Sequence, residues 1–319
     1  MQALILNPNA ARLRRQPELI REITRRASGR ARVFVTADLR ELGRAVSALA
    51  ASEVRRVVLC GGDGTFMEGV SALHRANLVD RPAAERRVTL AFLPAGTVAT
   101  VARAFAQPDD ALQGLDLALS AEASFVAAPS LEVTSVRLGE ALDRRVGFIF
   151  GTGLVARFFQ HYYASGADGL VGAAQIVART LLGSFREDTY SRRILDPLPV
   201  EIAVDLRRLS PPAFSLVLCS VIADVGLGMR VCYRAAEDWQ RPHVVASALS
   251  PRKLGPQLHR VLRGAPLRGQ GNFDDLASQL LLQFPDGNGP WVLDGDLLEA
   301  QKIQVTAGPT LWLLAPRGS

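Results

Sequence analysis

The sequence predicts two domains, an α/β domain with a parallel sheet followed by a mostly antiparallel, β-rich domain. The chain has 319 residues, roughly twice the commonest domain size. Residues 1–128 alternate short apolar runs with longer amphipathic stretches, a pattern typical of strands joined by helices. From about Ser130 the pattern changes to alternating segments with turn residues, which favours hairpins. We therefore expect one domain over 1–128 and a second from 129 onward.

The first domain is predicted to contain four buried parallel strands, at residues 3–6, 32–35, 57–60 and 88–93. Amphipathic stretches predict the helices between and after them, at 17–27, 39–51, 66–76 and 98–105. Such sheets bind ligands at the carboxyl ends of their strands. We expect the functional residues of this domain at that edge.

The second domain is predicted to be built mainly from hairpins. Its β-like runs lie at 131–138, 147–150, 200–206, 214–222, 244–249, 291–293, 303–305 and 311–314. Two helices are predicted among them, at 170–182 and 253–262. The second helix is basic with leucines on one side, so it could rest on an anionic membrane or be an ordinary amphipathic helix.

The composition narrows the possible partners. The net charge is +6, and all but two of the 37 basic residues are arginine, which attracts phosphates of nucleotides, nucleic acids or anionic lipids. No zinc-finger or RNA-binding signature accompanies the arginines, so we do not expect a nucleic-acid partner. No apolar run is long enough to span a membrane and no signal peptide is visible, which predicts a cytoplasmic location.

A glycine-rich loop follows the third predicted strand, with the sequence Gly61-Gly62-Asp63-Gly64-Thr65. Glycines let the backbone turn sharply and approach a ligand, and the helix that follows offers N–H groups to an anion. This pattern predicts a phosphate-binding loop. Asp63 would repel phosphate unless a cation or a transferred proton offsets its charge, so it indicates Mg²⁺ binding or hydroxyl activation.

A second loop of the same kind follows the fourth predicted strand. The segment 93–103 again reads as a strand, a turn at Gly96-Thr97 and the start of a helix. Because neighbouring parallel strands end at the same edge of a sheet, the two loops should lie side by side. Together they favour a nucleotide-binding cradle.

The two loops resemble those of the diacylglycerol kinase catalytic-domain family, which includes sphingosine, ceramide and bacterial lipid kinases. The similarity rests on GGDGT at 61–65, then LPxGT at 93–97 and Ala102-Arg103. Weaker similarities follow in the family's order: Asn7-Pro8-Asn9-Ala10, Thr36, Gly226-Leu227-Gly228-Met229 and Asp294-Gly295-Asp296. The resemblance implies a nucleotide-binding α/β domain and a β-rich lipid-binding domain over 129–305, with the active site in the cleft between them. It also implies that 306–319 returns to the first domain as a strand.

The resemblance implies roles for individual residues. The glycine-rich loop would bind the ATP phosphates, with Asp63 as ligand of Mg²⁺. The matching nucleotide-site positions are Asn7, Thr36, Gly61, Gly62, Asp63, Gly64, Thr65, Glu68, Gly96 and Thr97. The family's proposed general base matches Asp296, which is one methylene shorter than the family's Glu and has Asp294 beside it. Asp63 is the rival base, and both assignments stay open.

The implied activity is that of an ATP- and Mg²⁺-dependent lipid kinase. Its acceptor would be the primary hydroxyl of a neutral lipid such as ceramide, diacylglycerol or a sphingoid base. Such an acceptor implies peripheral contact with a membrane surface. Some family members pair through their β-rich domains, which implies a homodimer as one possible state.

The sequence also departs from the family. Ala99 and Thr100 occupy the positions at which the second loop of the family has Asn-Asp. Ceramide kinases also vary at these positions, so this departure favours ceramide as the substrate. Val155 stands where many members have an acid that holds the polar head of some lipids. The Asp-Asp-Gly loop that carries a structural Mg²⁺ in some bacterial members is not recognisable in 237–241.

Two other functions stay open. NAD kinases share GGDGT, but they use an Asn-Glu pair for a ribose, and this chain contains no Asn-Glu dipeptide. A nonenzymatic relative that binds nucleotide or lipid is the other alternative, motivated by Ala99, Thr100, Val155 and the shorter acid Asp296.

Overall fold

A computed structural model describes residues 1–79, 87–166, 169–186 and 188–315. The chain forms two compact units. The first contains residues 1–130 and the C-terminal segment from Pro309, and the second contains Leu131–Gly308. The first is an α/β unit with a largely parallel sheet and the second is an antiparallel β-rich unit, so the predicted fold class is confirmed.

The first unit is built on a six-stranded sheet in the order β2-β1-β3-β4-β20-β5. Its strands are β1 (Gln2–Leu6), β2 (Arg32–Val35), β3 (Arg56–Gly61), β4 (Thr89–Pro94), β5 (Phe125–Ala128) and β20 (Leu311–Leu314). Its helices are α1 (Ala11–Arg15), α2 (Pro17–Ala27), α3 (Leu39–Ala50), α4 (Asp63–Arg75), α5 (Thr100–Ala104) and α6 (Ala111–Ala118). Neighbouring strands run parallel except β5, which pairs antiparallel with β20.

Local sequence explains why these elements form where they do. β1 and β3 are short apolar runs whose side chains are almost all fully buried, as expected for central parallel strands. α2 begins with Pro17, whose missing N–H costs nothing in a first turn. α3 is capped by the carboxylate of Asp38, which accepts the amide of Glu41 at 2.8 Å.

The second unit contains two six-stranded antiparallel sheets, β11-β10-β16-β19-β6-β7 and β15-β14-β13-β8-β17-β18, and a two-stranded one, β12-β9. The strands are β6 (Leu131–Val136), β7 (Leu142–Gly147), β8 (Ile149–Gly153), β9 (Leu198–Pro199), β10 (Glu201–Val204), β11 (Arg207–Arg208), β12 (Ala213–Phe214), β13 (Leu216–Ser220), β14 (His243–Ser247), β15 (Asn272–Leu276), β16 (Gln279–Gln283), β17 (Gly289–Leu293), β18 (Asp296–Ala300) and β19 (Lys302–Ala307). Its helices are α7 (Leu154–Ala164), α8 (Gly169–Ser184), α9 (Thr189–Leu195), α10 (Pro251–Leu254) and α11 (Leu258–Leu262).

Two predictions for the second unit are wrong in detail, and one helix was missed. The helix expected at 253–262 is interrupted by a 3-10 turn, Gly255–Gln257, because Pro256 cannot donate the hydrogen bond of a continuing α-helix. The strand expected at 214–222 is divided at Ser215 and ends at Ser220. α7 was not predicted, because its apolar and aromatic residues follow directly on the apolar strand β8.

Within the described residues, no helix is both long enough and apolar enough to cross a bilayer.

Candidate active site

The two glycine-containing loops lie side by side at the carboxyl edge of the parallel sheet. β3 and β4 are neighbours, with Gly61 opposite Pro94 at their ends. The amide of Ala95 donates to the carbonyl of Gly61 at 2.7 Å, which joins the loops directly. α4 begins at Asp63, three residues earlier than the sequence pattern indicated, so Gly64 and Thr65 belong to its first turn.

Two glycines allow the loops to touch backbone to backbone. A Cβ built on Gly96 would lie 2.6 Å from the Cα of Gly62, and one built on Gly62 would lie 3.3 Å from the Cα of Gly96. A Cβ on Gly61 would collide with the side chain of Thr65. Glycine is therefore required at Gly61 and Gly96 for steric reasons, before any ligand is considered, and Gly62 leaves only a tight space for a methyl group.

The carboxylate of Asp63 fastens the second loop to the first. Its oxygens accept the amides of Thr100 at 2.8 Å and Val101 at 3.2 Å, at the start of α5. α5 has no side-chain cap of its own, because its N-cap residue is Ala99, in the left-handed region at φ +53°. Asp63 thus supplies the cap from another loop.

Burial raises the pKa of Asp63 to about 6. The amides of Thr100 and Val101 and the charge of Arg103 act in the opposite direction and lower this pKa. Desolvation prevails because it disfavours the charged form more than these partners stabilise it.

Asn7 joins the end of β1 to the glycine-rich loop. Its side-chain amide donates to Thr65 Oγ1 at 2.9 Å, and its backbone amide donates to the carbonyl of Cys60 at 3.0 Å. Thr36 follows β2 at the same edge, and its amide donates to the carbonyl of Leu6 at 2.9 Å. The ends of β1, β2 and β3 thus bring Asn7, Thr36 and Thr65 to one edge of the sheet.

Thr97 and Glu68 are the other two residues expected at the nucleotide site. Thr97 is exposed in the turn between β4 and α5. Glu68 lies on α4 five residues after Asp63, which is about 140° around the helix axis. Glu68 therefore faces a different side of α4 from the loop carboxylate.

A second acidic turn connects β17 to β18 in the other unit. Asp294 and Gly295 have φ values of +49° and +94°, the two positive angles of a tight type I′ hairpin. The carboxylate of Asp294 is buried and accepts the amides of Phe148 at 3.1 Å and Ile149 at 2.8 Å. Asp294 therefore holds the corner between β7 and β8.

Asp296, the first residue of β18, is only partly buried. The hydroxyl of Tyr163, on α7, donates to the carbonyl of Gly295 at 2.7 Å. Burial, with smaller effects from the charges of Asp296 and Tyr162, raises the pKa of Tyr163 to about 12. Tyr163 was missed by the sequence reasoning; the aromatic run from Phe158 to Tyr163 was the available signal.

Comparison with known proteins identifies the first unit. Residues 2–127 match the diacylglycerol kinase catalytic domain. The resemblance seen in the sequence motifs is thereby confirmed. No curated protein was found that matches the sequence.

Solved structures share the fold of the whole chain. A diacylglycerol kinase from Bacillus anthracis str. Sterne has 15% identity and a TM-score of 0.60, over 99% of this chain and 97% of the other. A second protein from that organism, provisionally assigned as a diacylglycerol kinase, has 15% identity and a TM-score of 0.66 over the same shares. Yeast NADH kinase, solved with NADH, has 13% identity and a TM-score of 0.51, over 99% and 83%. At these low identities, the similarity shows a shared fold.

The departures from the diacylglycerol kinase motifs have clear local consequences. Ala99 takes the left-handed conformation where the family motif has an asparagine, a residue that tolerates this region better. Val155 lies in the first turn of α7 and packs against the apolar cluster that includes Leu218 and Val245. Leu227 likewise has a positive φ, +55°, in the turn that resembles GGGM.

A metal site built from protein side chains alone needs several ligands close together. The described ranges contain no group of three or more His, Cys, Asp or Glu side chains placed to hold a metal ion. A nucleotide-bound Mg²⁺ needs fewer protein ligands, because phosphates and water complete its coordination. The carboxylate of Asp63 in the glycine-rich loop is compatible with that arrangement.

Proposed function

We propose that this protein is an ATP- and Mg²⁺-dependent lipid kinase. It would transfer the γ-phosphoryl group to the primary hydroxyl of a neutral lipid such as ceramide, diacylglycerol or a sphingoid base. The observation that carries the proposal is the pair of glycine-containing loops, which touch through Gly62 and Gly96 and are joined by the carboxylate of Asp63. Both loops lie within the residues that match a diacylglycerol kinase catalytic domain.

The nucleotide phosphates would bind at the start of α4. The helix has 13 residues, and the amides of its first turn, including those of Gly64 and Thr65, have no acceptor within the helix. The helix dipole adds a positive potential there, and the glycines admit phosphate close to the backbone. Asn7, Thr36, Gly96 and Thr97 would complete the nucleotide site. Mg²⁺, held by the phosphates and Asp63, would offset the charge that develops during transfer.

Asp296 is our candidate for the general base. Its carboxylate would take the proton of the lipid hydroxyl as that oxygen attacks the γ-phosphorus and ADP leaves. Asp294 would act as a positioning residue, because its carboxylate already accepts backbone amides of Phe148 and Ile149. Asp63 is less suited to receive this proton, because both of its oxygens accept amides of the second loop.

An exposed apolar stripe on α8 supports a lipid acceptor. The stripe consists of Val171, Ala178 and Leu182, with Phe185 just beyond the helix end. Val171 is 71% exposed, Leu182 70% and Phe185 56%. The spacing of 7 and 4 residues keeps these positions on one side of the helix, and the opposite side, with Ile176 and Thr180, is buried. Exposed apolar side chains in such a row are typical of membrane contact sites.

Basic residues lie near this stripe, and the acids Asp168, Glu187 and Asp188 flank α8 in the sequence. α8 carries Arg179 and no acidic residue, and Arg186 follows it. The acid-free segment 251–263 supplies Arg252 and Lys253, both exposed, and packs closely against the end of α8, where Gly255 lies next to Ser184. Apolar and basic groups together fit an anionic bilayer. We therefore propose peripheral membrane association through this face.

A phosphorylation assay tests the activity. Purified protein is incubated with radiolabelled ATP and, separately, with ceramide, sphingosine, diacylglycerol or monoacylglycerol in mixed micelles, and NAD is included as an acceptor. We expect one labelled lipid product and no labelled NADP. Labelled NADP alone would instead establish an NAD kinase, and ATP binding without any product would establish a nonenzymatic relative.

Sedimentation with vesicles tests the membrane face independently of turnover. We expect binding to vesicles containing phosphatidylserine and a marked loss of binding in Leu182→Ser/Phe185→Ser. Leu138→Ser is the matched control, because Leu138 is 64% exposed and lies outside the stripe. Equal binding by all three proteins would refute this face as the contact surface.

A further inference from the structure

The turn between β17 and β18, formed by Asp294 and Gly295, is anchored by α7. The hydroxyl of Tyr163 donates to the carbonyl of Gly295 at 2.7 Å. A Cβ built on Gly295 would lie 3.7 Å from the ring of Phe159, which is one helical turn earlier on α7. Two aromatic side chains of α7 thus contact the turn that leads into Asp296.

The hydroxyl oxygen of Tyr163 has lone pairs that can accept a hydrogen bond. A phenol has one proton, and here that proton is donated to the carbonyl of Gly295. Burial raises the pKa of Tyr163 to about 12, so the hydroxyl stays protonated at neutral pH. Tyr163 is nevertheless 54% exposed, and its hydrogen bond lies at the protein surface. A ligand that meets this oxygen must therefore bring the donor.

This acceptor lies close to Asp296, our candidate for the general base. The carbonyl of Gly295 and the Cα of Asp296 belong to one peptide unit, so the hydroxyl oxygen of Tyr163 lies within about 6 Å of that Cα. Besides burial, the charge of Asp296 raises the pKa of Tyr163, which agrees with this proximity. An ionised carboxylate is likewise an acceptor only. Neighbouring acceptors on Asp296 and Tyr163 match a ligand with two neighbouring donors.

The candidate lipids differ in the number of donors that they carry. Diacylglycerol has one, the hydroxyl that would be phosphorylated, because its other oxygens belong to esters. Ceramide has an amide N–H on the carbon next to the one that bears this hydroxyl, and a monoacylglycerol with its chain at the far end has a second hydroxyl there. A site with a polar group that the wrong ligand leaves unpaired discriminates against that ligand. An acceptor beside the base therefore favours the lipids with a second donor.

We propose that Tyr163 determines the specificity for the acceptor lipid. Its hydroxyl oxygen accepts a hydrogen bond from an amide N–H or a second hydroxyl of the lipid, while the neighbouring primary hydroxyl donates to Asp296. The acceptor then belongs to the class of ceramide or monoacylglycerol rather than diacylglycerol. The ring of Phe159, beside Gly295, offers an apolar surface to the first methylene groups of the chain. This inference rests on the proposed function, since it places the reacting hydroxyl at Asp296.

A pair of matched lipids tests this role. One is a short-chain diacylglycerol, and the other is its amide analogue, in which N–H replaces the ester oxygen on the middle carbon. We expect kcat/KM to be about tenfold higher for the amide, as one added hydrogen bond would give. Tyr163→Phe should remove this preference, because it slows the amide more than the ester. Tyr162→Phe, which removes a hydroxyl from the adjacent residue of α7, is the matched control and should keep the preference.

The results distinguish a failure of this inference from a failure of the proposed function. Equal kcat/KM for the two lipids in the unchanged protein would overturn the inference and leave the kinase proposal standing. A preference that survives Tyr163→Phe would also overturn it, and an equal loss of rate with both lipids would then limit Tyr163 to holding the turn. If neither lipid of the pair, nor ceramide, nor monoacylglycerol is phosphorylated, the proposed function fails and this inference fails with it.

Discussion

The glycine-rich loop of the first unit and the acidic hairpin of the second use aspartates in comparable ways. Asp63 accepts the amides of Thr100 and Val101, and Asp294 accepts those of Phe148 and Ile149. In both turns the carboxylate fastens a segment that is distant in sequence. The difference is that the hairpin carries a further acid, Asp296, which is partly exposed.

This difference shows that an acidic residue in a functional motif need not be a reactive one. The oxygens of Asp63 and of Asp294 hold backbone amides of distant segments, so protonation of either carboxylate would weaken these contacts. We therefore propose a positioning role for these two aspartates and proton transfer for Asp296. The following experiments separate these two kinds of role, beginning with the largest effect.

Asp296→Asn should lower kcat for lipid phosphorylation by about 10²–10⁴, the usual contribution of a general base. ATP affinity should be unchanged, because the amide removes only the proton acceptor. Initial rates and ATP binding by calorimetry measure both quantities. Asp286→Asn is the matched control, since Asp286 is an exposed acid in the turn between β16 and β17. Undiminished kcat in Asp296→Asn would return the role of base to Asp63.

Asp294→Ala should lower the free energy of unfolding by about 3 kcal/mol, because it leaves the amides of Phe148 and Ile149 without their acceptor. Urea unfolding measures this change, and Asp286→Ala controls for the loss of an acidic side chain from a turn between strands. A variant as stable as the unchanged protein would show that the two amides find other acceptors.

Gly96→Ala should impair nucleotide binding more than Gly62→Ala does. The added methyl group would lie 2.6 Å from the opposing Cα in the first variant and 3.3 Å in the second, so only the first must push the loops apart. We expect destabilisation of about 1–3 kcal/mol and a raised KM for ATP in Gly96→Ala. Gly43→Ala, a helix position with open space around it, should be slightly stabilising. Equal KM values for the two loop variants would contradict the contact between Gly62 and Gly96.

The smallest effect concerns the pH dependence of stability. Because burial raises the pKa of Asp63 from 3.8 to about 6, the folded protein retains a proton that the unfolded chain loses in this range. The contribution of Asp63 to the free energy of unfolding therefore decreases as the pH rises from about 4 to about 6.

Asp63→Asn should remove this slope. Urea unfolding of both proteins across the range should show the unchanged protein losing stability relative to the variant as the pH rises. Asp109→Asn, which replaces an exposed acid of the same unit, should leave the slope in place. Parallel curves for the unchanged protein and Asp63→Asn would show that Asp63 keeps an ordinary pKa in the fold.

Much of the first unit could be predicted from the sequence. The strand at 32–35 and the helix at 17–27 have the predicted bounds. The run at 311–314 also has the predicted bounds, but its pattern placed it with the second domain, and it belongs to the sheet of the first unit. Apolar runs and helical periodicity are local properties, so they can be recognised without tertiary contacts. The adjacency of the two glycine loops followed from the rule that neighbouring parallel strands end at one edge.

The sequence alone thus determined the fold class, the positions of the loops and the resemblance of the first unit to the diacylglycerol kinase catalytic domain. Only the tertiary structure decided which acids are bound to backbone amides, because Asp63 reaches an amide 37 residues away and Asp294 one 146 residues away. It also decided that Val171 and Leu182 are exposed rather than core residues, and that Tyr163 donates to the carbonyl of Gly295. Periodicity shows which side of an element is apolar, but what covers that side depends on segments distant in sequence.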